Sequence, residues 1–77
     1  MDCLIPVKNV NEIGNVMKNK RKVIKLTQKE LAGLCNVGVR FISELENGKK
    51  TLEIEKVLKV AKNLGFDFCL KERKIVR

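Results

Sequence analysis

The chain has 77 residues, room for one small domain, and its seventeen Lys and Arg against nine Asp and Glu leave a net charge of +8. It contains no His, Trp or Tyr, which excludes Ser-His-Asp and Cys-His nucleophile pairs and every imidazole-based metal site. Cys3, Cys35 and Cys69 are widely spaced, odd in number and free of any Cys-x-x-Cys; they argue against a disulfide framework or a structural zinc and for reduced thiols in a cytoplasm.

Residues 1–9 read as an extended segment, because Pro6 biases Ile5 away from the helical region. Met1–Pro6 is acidic with a short apolar stretch and is not expected to be a signal peptide. Asn9 or Asn11 can cap a first helix over 10–23, with Glu12 favourable in its first turn. Val10, Ile13, Val16, Met17 and, less regularly, Ile24 supply its apolar stripe, and Lys18, Lys20, Arg21 and Lys22 fill the other faces. Thr27 then opens a capping box with Glu30, just before Leu31, Ala32 and Leu34. The helix it starts is short, since Asn36, which tolerates positive φ, and Gly38 break the pattern after Cys35. A third helix covers Val39–Glu46 with Ile42 and Leu45 facing inward, and Asn47-Gly48 ends it. Thr51 or Leu52 begins a fourth, in which Ile54, Val57, Leu58, Ala61 and Leu64 recur at helical spacing. Gly65 terminates it. Phe66-Asp67-Phe68-Cys69-Leu70 alternates with period two and predicts a short strand. The tail, residues 71–77, is basic and loose.

No apolar run is long enough to span a bilayer, and no partner membrane is expected. The charge is unevenly placed. Residues 1–25 carry six cations against two anions, 26–50 four against three, and 51–77 seven against four. A basic small domain of this kind points to polyanions, nucleic acid first.

Two short helices joined by about four residues around Asn36-Val37-Gly38 form a helix-turn-helix pattern. Its signature is Thr27-Gln28-x-x-Leu31-Ala32, then Asn36-Val37, then Ile42-Ser43-x-x-Glu46-Asn47-Gly48-Lys49. Ala32 suits a close helix crossing that admits only a small side chain, and Val37 plugs the core from the turn.

On these residues, 10–65 resembles the Cro/lambda-repressor-type (XRE) helix-turn-helix family. The longer run from Ile13-Gly14 through Arg40-Phe41-Ile42-Ser43-Glu44-Leu45-Glu46-Asn47-Gly48-Lys49 to Leu64-Gly65-Phe66 resembles its HipB-like, Y4mF-type antitoxin branch. The chain departs from the family at Asn36, usually Gly, and at Gly38, where many relatives offer a hydrogen-bonding side chain. The resemblance implies a mainly α fold, a four- to five-helix lambda-repressor-like DNA-binding domain over 10–65, with a C-terminal β-strand over 66–70 used in dimerisation.

It also implies roles. Gln28, beside the cap Thr27, meets a DNA phosphate or is simply solvated. Arg40 stands in the first turn of the recognition helix. There it grips guanine O6 and N7, or else clamps a phosphate. Val39 can touch a thymine methyl, with Gly38 at the cap before it. Ser43 and Glu44 lie one turn further along, and Glu44 can accept from cytosine N4 or repel a wrong phosphate register. Phe41 packs either on methyl groups or into the core. Lys49 and Lys50, and less firmly Lys25 and Lys29, suit backbone phosphates. Arg21 and Glu46 form an ion pair between helix one and the recognition helix. Phe66, Asp67, Phe68, Cys69 and Leu70 pair across a twofold axis, or with Leu4–Val7 within one chain, since a lone strand leaves its edges unpaired.

The partners implied are a second copy of the chain, double-stranded palindromic operator DNA and a HipA-like toxin kinase. Expected with them is a bacterial cytoplasmic repressor and antitoxin of a type II toxin-antitoxin system. Two alternatives remain: a stand-alone phage- or plasmid-type regulator, and a protein-interaction module that has lost DNA binding. No catalytic constellation is read, so no enzymatic activity, metal or cofactor is expected.

Overall fold

Every helix among the described residues ends in the same way, and this repetition sets the architecture. The computed structural model describes residues 4–74, and among them it has four helices: α1 (Val10–Val23), α2 (Gln28–Cys35), α3 (Val39–Glu46) and α4 (Ile54–Asn63). After each helix one residue takes the left-handed conformation: Lys25 (φ 61°), Asn36 (φ 56°), Gly48 (φ 78°) and Gly65 (φ 87°). The following N–H then reaches back to a carbonyl five residues earlier: Leu26 to Arg21 (3.1 Å), Val37 to Ala32 (3.0 Å), Lys49 to Glu44 (3.0 Å) and Phe66 to Ala61 (2.9 Å). This double-bonded C-terminal turn satisfies the orphan carbonyls and folds the next segment back over the helix. Leu26, Val37 and Phe66 are thereby delivered onto the core.

The starts are less uniform. Asn9 caps α1, its side chain accepting from the Glu12 N–H at 3.0 Å, while the Glu12 carboxylate accepts from the Lys8 N–H at 2.7 Å. Asn11 lies within the first turn. Thr27 and Glu30 form the expected reciprocal capping box on α2, at 3.0 and 2.8 Å. Gly38 and Glu53 begin α3 and α4 with no side-chain cap. α4 starts at Ile54, later than the expected Thr51 or Leu52. Glu53 is still extended (φ −68°, ψ 115°), and Leu52 is used as a core plug from the loop.

The core consists of Met17, Leu31, Ala32, Cys35, Ile42, Leu45, Val57, Val60, Ala61 and Leu64. Ile13, Leu26, Val37, Phe41, Leu52 and Phe66 pack around it. Ala32 sits in the interior, as a close crossing requires. A second close approach joins α1 to the end of α3. A Cβ built on Gly14 would overlap the Leu45 carbonyl oxygen and lie 3.2 Å from that of Glu46, so the two backbones touch. Gly48 is pinned twice, by its positive φ and by the Asn11 side chain, which fills the space a Cβ would need.

Several sequence expectations are corrected. Ile54 and Leu58, placed on the inward stripe of α4, are 65% and 43% exposed, and Leu34 of α2 is 62% exposed; Val60 takes the inward position instead. No strand is present among the described residues. Phe66–Leu70 leaves α4 without a ladder, and it does not pair with Leu4–Val7. A strand exists only through hydrogen bonds to a neighbour, and none of the described residues comes to this edge. Phe66 turns inward onto the core, whereas Phe68 is 44% exposed and Leu70 fully so. Cys69 is exposed and unpaired. Cys3 and the last three residues of the basic tail lie outside the described residues.

Candidate nucleic-acid interface

Three side chains tie together the helices that carry the motif. Arg21, in the last turn of α1, donates from Nε to Glu46 Oε2 at 2.6 Å and from Nη2 to Glu46 Oε1 at 3.0 Å. Its Nη1 donates to the Leu26 carbonyl oxygen at 2.7 Å. Glu46, in the last turn of α3, also accepts from Gln28 Nε2 at 3.0 Å. The ion pair expected between Arg21 and Glu46 is therefore a fork-on-fork contact with its remaining valences filled, the arrangement that makes a buried pair tolerable. Burial pushes the Glu46 carboxyl up, but the hydrogen bonds from Arg21 and Gln28, together with the Arg21 charge, outweigh it and hold the group below the ordinary carboxylate range. The hydrogen bond to Glu46 raises Arg21 in turn, against the cost of its desolvation. One cluster thus locks the end of α1, the start of α2 and the end of α3.

This placement qualifies the reading of Gln28. One of its amide N–H groups is committed to Glu46, so its side chain belongs to the scaffold as well as to the surface. Its second amide N–H and the backbone N–H groups at the start of α2 are what remains to face an anion. Thr27 and Lys29 flank it and are exposed.

The first turn of α3 projects outward. Gly38 and Val39 are exposed, and the Arg40 side chain is 90% exposed. Ser43 and Glu44 lie one turn on, half-buried. The Ser43 hydroxyl accepts from Asn47 Nδ2 at 3.4 Å. Glu44 Oε2 accepts from Arg40 Nε at 3.3 Å and from Lys49 Nζ at 3.1 Å. Lys49's hydrogen bond is the main reason the Glu44 carboxyl lies below its ordinary range, with the charges of Lys49 and Arg40 adding to it against partial burial. Lys49 and Lys50 are exposed just beyond the α3 C-terminus.

Phe41 faces the other way. It packs against the core with its ring beneath Lys56 Nζ, 5.8 Å from the ring centroid, and Lys20 caps Phe66 similarly at 5.5 Å. Of the two readings of Phe41, core packing describes its position. Cys35 is buried, and burial raises its thiol pKa although the Lys59 charge opposes this, which suits an inert core thiol. Among the described residues no cluster of Cys, Asp or Glu could hold a metal ion, and no helix is long and apolar enough to cross a membrane.

Sequence reasoning did not find the bond from Gln28 to Glu46, the caps of Lys20 and Lys56 on Phe66 and Phe41, or the left-handed Lys25. Gln28 and Glu46 are eighteen residues apart with no periodic relation, and Lys has no preference for positive φ that could flag Lys25.

Comparison with known proteins agrees with this geometry. A family model described as "Helix-turn-helix" matches residues 17–70. An HTH-type transcriptional regulator of Sinorhizobium fredii, Y4mF, described as uncharacterized, is 48% identical over 59 residues, which is 77% of this chain and 78% of that protein. Among solved structures, a HipB variant in complex with the O2 20mer superposes with a TM-score of 0.83 at 24% identity, covering 94% of this chain and all of that one. The HipA–HipB–O2–O3 complex contains a chain that superposes equally well (TM-score 0.83, 24% identity, 92% of this chain and all of that one). The capping box, the left-handed Asn36 turn, the exposed first turn of α3 and these likenesses lead to one conclusion: the chain belongs to the XRE-type helix-turn-helix family of transcriptional regulators, and its fold is that of HipB.

Proposed function

We propose that the chain is a repressor that binds palindromic operator DNA as a homodimer, reads it with α3, and serves as the antitoxin of a HipA-like kinase toxin in a bacterial cytoplasm. One observation carries this reading. The first turn of α3 leaves Val39 and Arg40 open to solvent, on a helix whose opposite face and C-terminus are fixed by core packing and by the Arg21–Glu46–Gln28 cluster. A recognition helix needs this combination: exposed tips on a rigid rod, presented N-terminus first to the major groove. In this reading Arg40 contacts guanine, Val39 a thymine methyl, and Lys29, Lys49, Lys50 and the start of α2 at Thr27 and Gln28 contact phosphates.

The dimer is supported by Phe68 and Leu70, apolar side chains left open in the single chain. Antiparallel pairing of residues 66–70 with those of a second copy would cover them and complete the missing ladder, setting two α3 helices about one DNA turn (~34 Å) apart. The toxin partner is supported by the likeness of this fold to HipB in its complex with HipA. A stand-alone regulator is the second reading. It is favoured by the nearer sequence relative, which is described only as a transcriptional regulator.

A mobility-shift assay on the DNA upstream of the protein's own gene tests the first half. Neutralising about six to ten phosphates per dimer predicts a loss of roughly 10³ to 10⁵ in affinity between about 50 and 200 mM salt. Absence of any shift at the lower salt would overturn the DNA-binding reading. Co-purification with the product of an adjacent kinase-like reading frame separates antitoxin from stand-alone regulator.

A further inference from the structure

Glu44 stands at the fork between two cations that are candidates for DNA contacts. Its Oε2 accepts from Arg40 Nε, one turn earlier on α3, and from Lys49 Nζ, just past the helix end. A guanidinium has more than one donor edge. Bonding at Nε leaves Nη1 and Nη2 free, and that pair matches the spacing of guanine O6 and N7. With its side chain 90% exposed and no other hydrogen bond among the described residues, Arg40 has this edge open. An arginine held at Nε keeps its planar fork aimed in one direction, so less side-chain freedom is lost when a base is gripped.

The same carboxylate has a second effect. It places a negative charge between a base-reading cation and a phosphate-binding one, which weakens attraction to DNA of any sequence. A residue that both aims the reader and lowers background binding raises the ratio between right and wrong sites from two directions.

We propose that Glu44 is the specificity-determining positioning residue of this interface, holding Arg40 at Nε so that its free edge meets one guanine while reducing sequence-independent attraction. This rests on the DNA-reading role of α3 proposed above, and the experiment separates the two. Full-length wild-type protein is used to enrich duplexes from a random-sequence library. Failure to enrich any duplex overturns the reading role and this proposal with it. From an enriched duplex, affinities are measured by fluorescence anisotropy for the four bases at the guanine whose preference Arg40→Ala abolishes and at each flanking position, and for a random-sequence duplex. If Arg40→Ala abolishes no guanine preference, the proposal fails while the reading role stands.

Glu44→Gln is expected to lower the guanine preference about five- to tenfold and to tighten binding of the random duplex severalfold. Glu44→Asp, which keeps the charge and shortens the reach, is expected to lose the preference without gaining random-duplex affinity. In an Arg40→Ala background neither change alters base preference, and Lys49→Ala weakens all duplexes alike. A uniform shift across all duplexes in Glu44→Gln would make the carboxylate a mere repulsive charge and overturn the proposal. An equal effect on base preference with and without Arg40 would make Glu44 a direct base reader and overturn it too.

Discussion

Two glycine-to-alanine substitutions, identical in chemistry, should move stability in opposite directions. Gly33 lies in α2, and a Cβ there meets nothing within 4 Å. Gly33→Ala gains helix propensity and reduces unfolded-state freedom, for about 0.5–1 kcal/mol of stabilisation. Gly14 lies in α1, where the added Cβ would overlap the Leu45 carbonyl oxygen and press on that of Glu46 at 3.2 Å. A carbon and a carbonyl oxygen rest about 3.3 Å apart or more, so α1 and the end of α3 must separate by roughly 1 Å. A gap of that size forfeits about a quarter to a half of the dispersion attraction along the contact. It also pulls on Glu46, which is tied to Arg21 from the α1 side. Overpacking of this kind costs about 1–3 kcal/mol, and the propensity gain of the same substitution recovers only part of it. Each kcal/mol moves the melting temperature of a domain this size by about 4–8 °C. Gly33→Ala should therefore melt several degrees above wild type and Gly14→Ala several degrees below it. Thermal denaturation by circular dichroism reads both, at one fixed protomer concentration because the dimerisation proposed above would couple to stability. If Gly14→Ala melts as high as Gly33→Ala, the backbone contact between α1 and α3 does not exist and the reasoning fails.

The remaining predictions concern the buried cluster, a helix end, the tail and the interface. Glu46→Gln leaves Arg21 buried without a counter-charge and should cost about 3–5 kcal/mol, measured by urea denaturation at neutral pH. Because the Glu46 carboxyl is held below its ordinary range in the folded chain, its contribution is present above about pH 4.3 and disappears as pH falls through the depressed value. The acid limb of a stability-against-pH curve should accordingly be flatter in Glu46→Gln than in wild type, and an unchanged slope would count against the cluster. Lys25→Gly removes a non-glycine residue from the left-handed region and should stabilise the chain by about 0.5–1 kcal/mol in the same denaturation assay. Deleting residues 67–77 while keeping the core-packed Phe66 should yield a monomer by sedimentation equilibrium. A stable dimer would refute strand pairing at 66–70. At the interface, Arg40→Ala should relax base preference, whereas Lys49→Ala should weaken all sequences alike.

Local signals in this chain were legible; relations between distant residues were not. Thr27 with Glu30, Asn36, Gly48 and Gly65 each state a capping or turning role within a few residues. For that reason α2 and α3 fall on the expected boundaries, as does α1, whose start Asn9 marks. α4 was harder to bound. Thr51 and Leu52 look like a helix start, but its beginning depends on Leu52 being pulled to the core, a tertiary effect with no local mark. Ile54 and Leu58 satisfy helical spacing as well as Val57 and Val60 do. Only the position of α2, which α4 packs against, decides which pair is buried. The Phe66–Leu70 alternation identifies an edge that wants a partner, yet a single chain cannot supply the ladder. Within the candidate interface, residue types at the family's positions mark Arg40, Ser43 and Lys49, while the bonds that constrain Gln28 and Glu44 arise from packing.

The distribution of charge would let a strongly basic protein of the proposed role be selective. α3 itself carries one cation, Arg40, against two anions, Glu44 and Glu46, so the recognition helix is not drawn into a groove by its own charge. In the proposed DNA-reading role, attraction would come from lysines around it, such as Lys25, Lys29, Lys49 and Lys50, which act on any phosphate backbone. Of the two anions on α3, Glu46 is neutralised internally by Arg21 and serves to fix the helix, and Glu44 is shared between Arg40 and Lys49. Under that proposal affinity and selectivity reside in different residues and respond to different perturbations. Salt, or the loss of a flanking lysine, should scale binding to all sequences by a common factor. A change that tilts α3, such as the separation forced by Gly14→Ala, should erode discrimination even where every contact residue is intact.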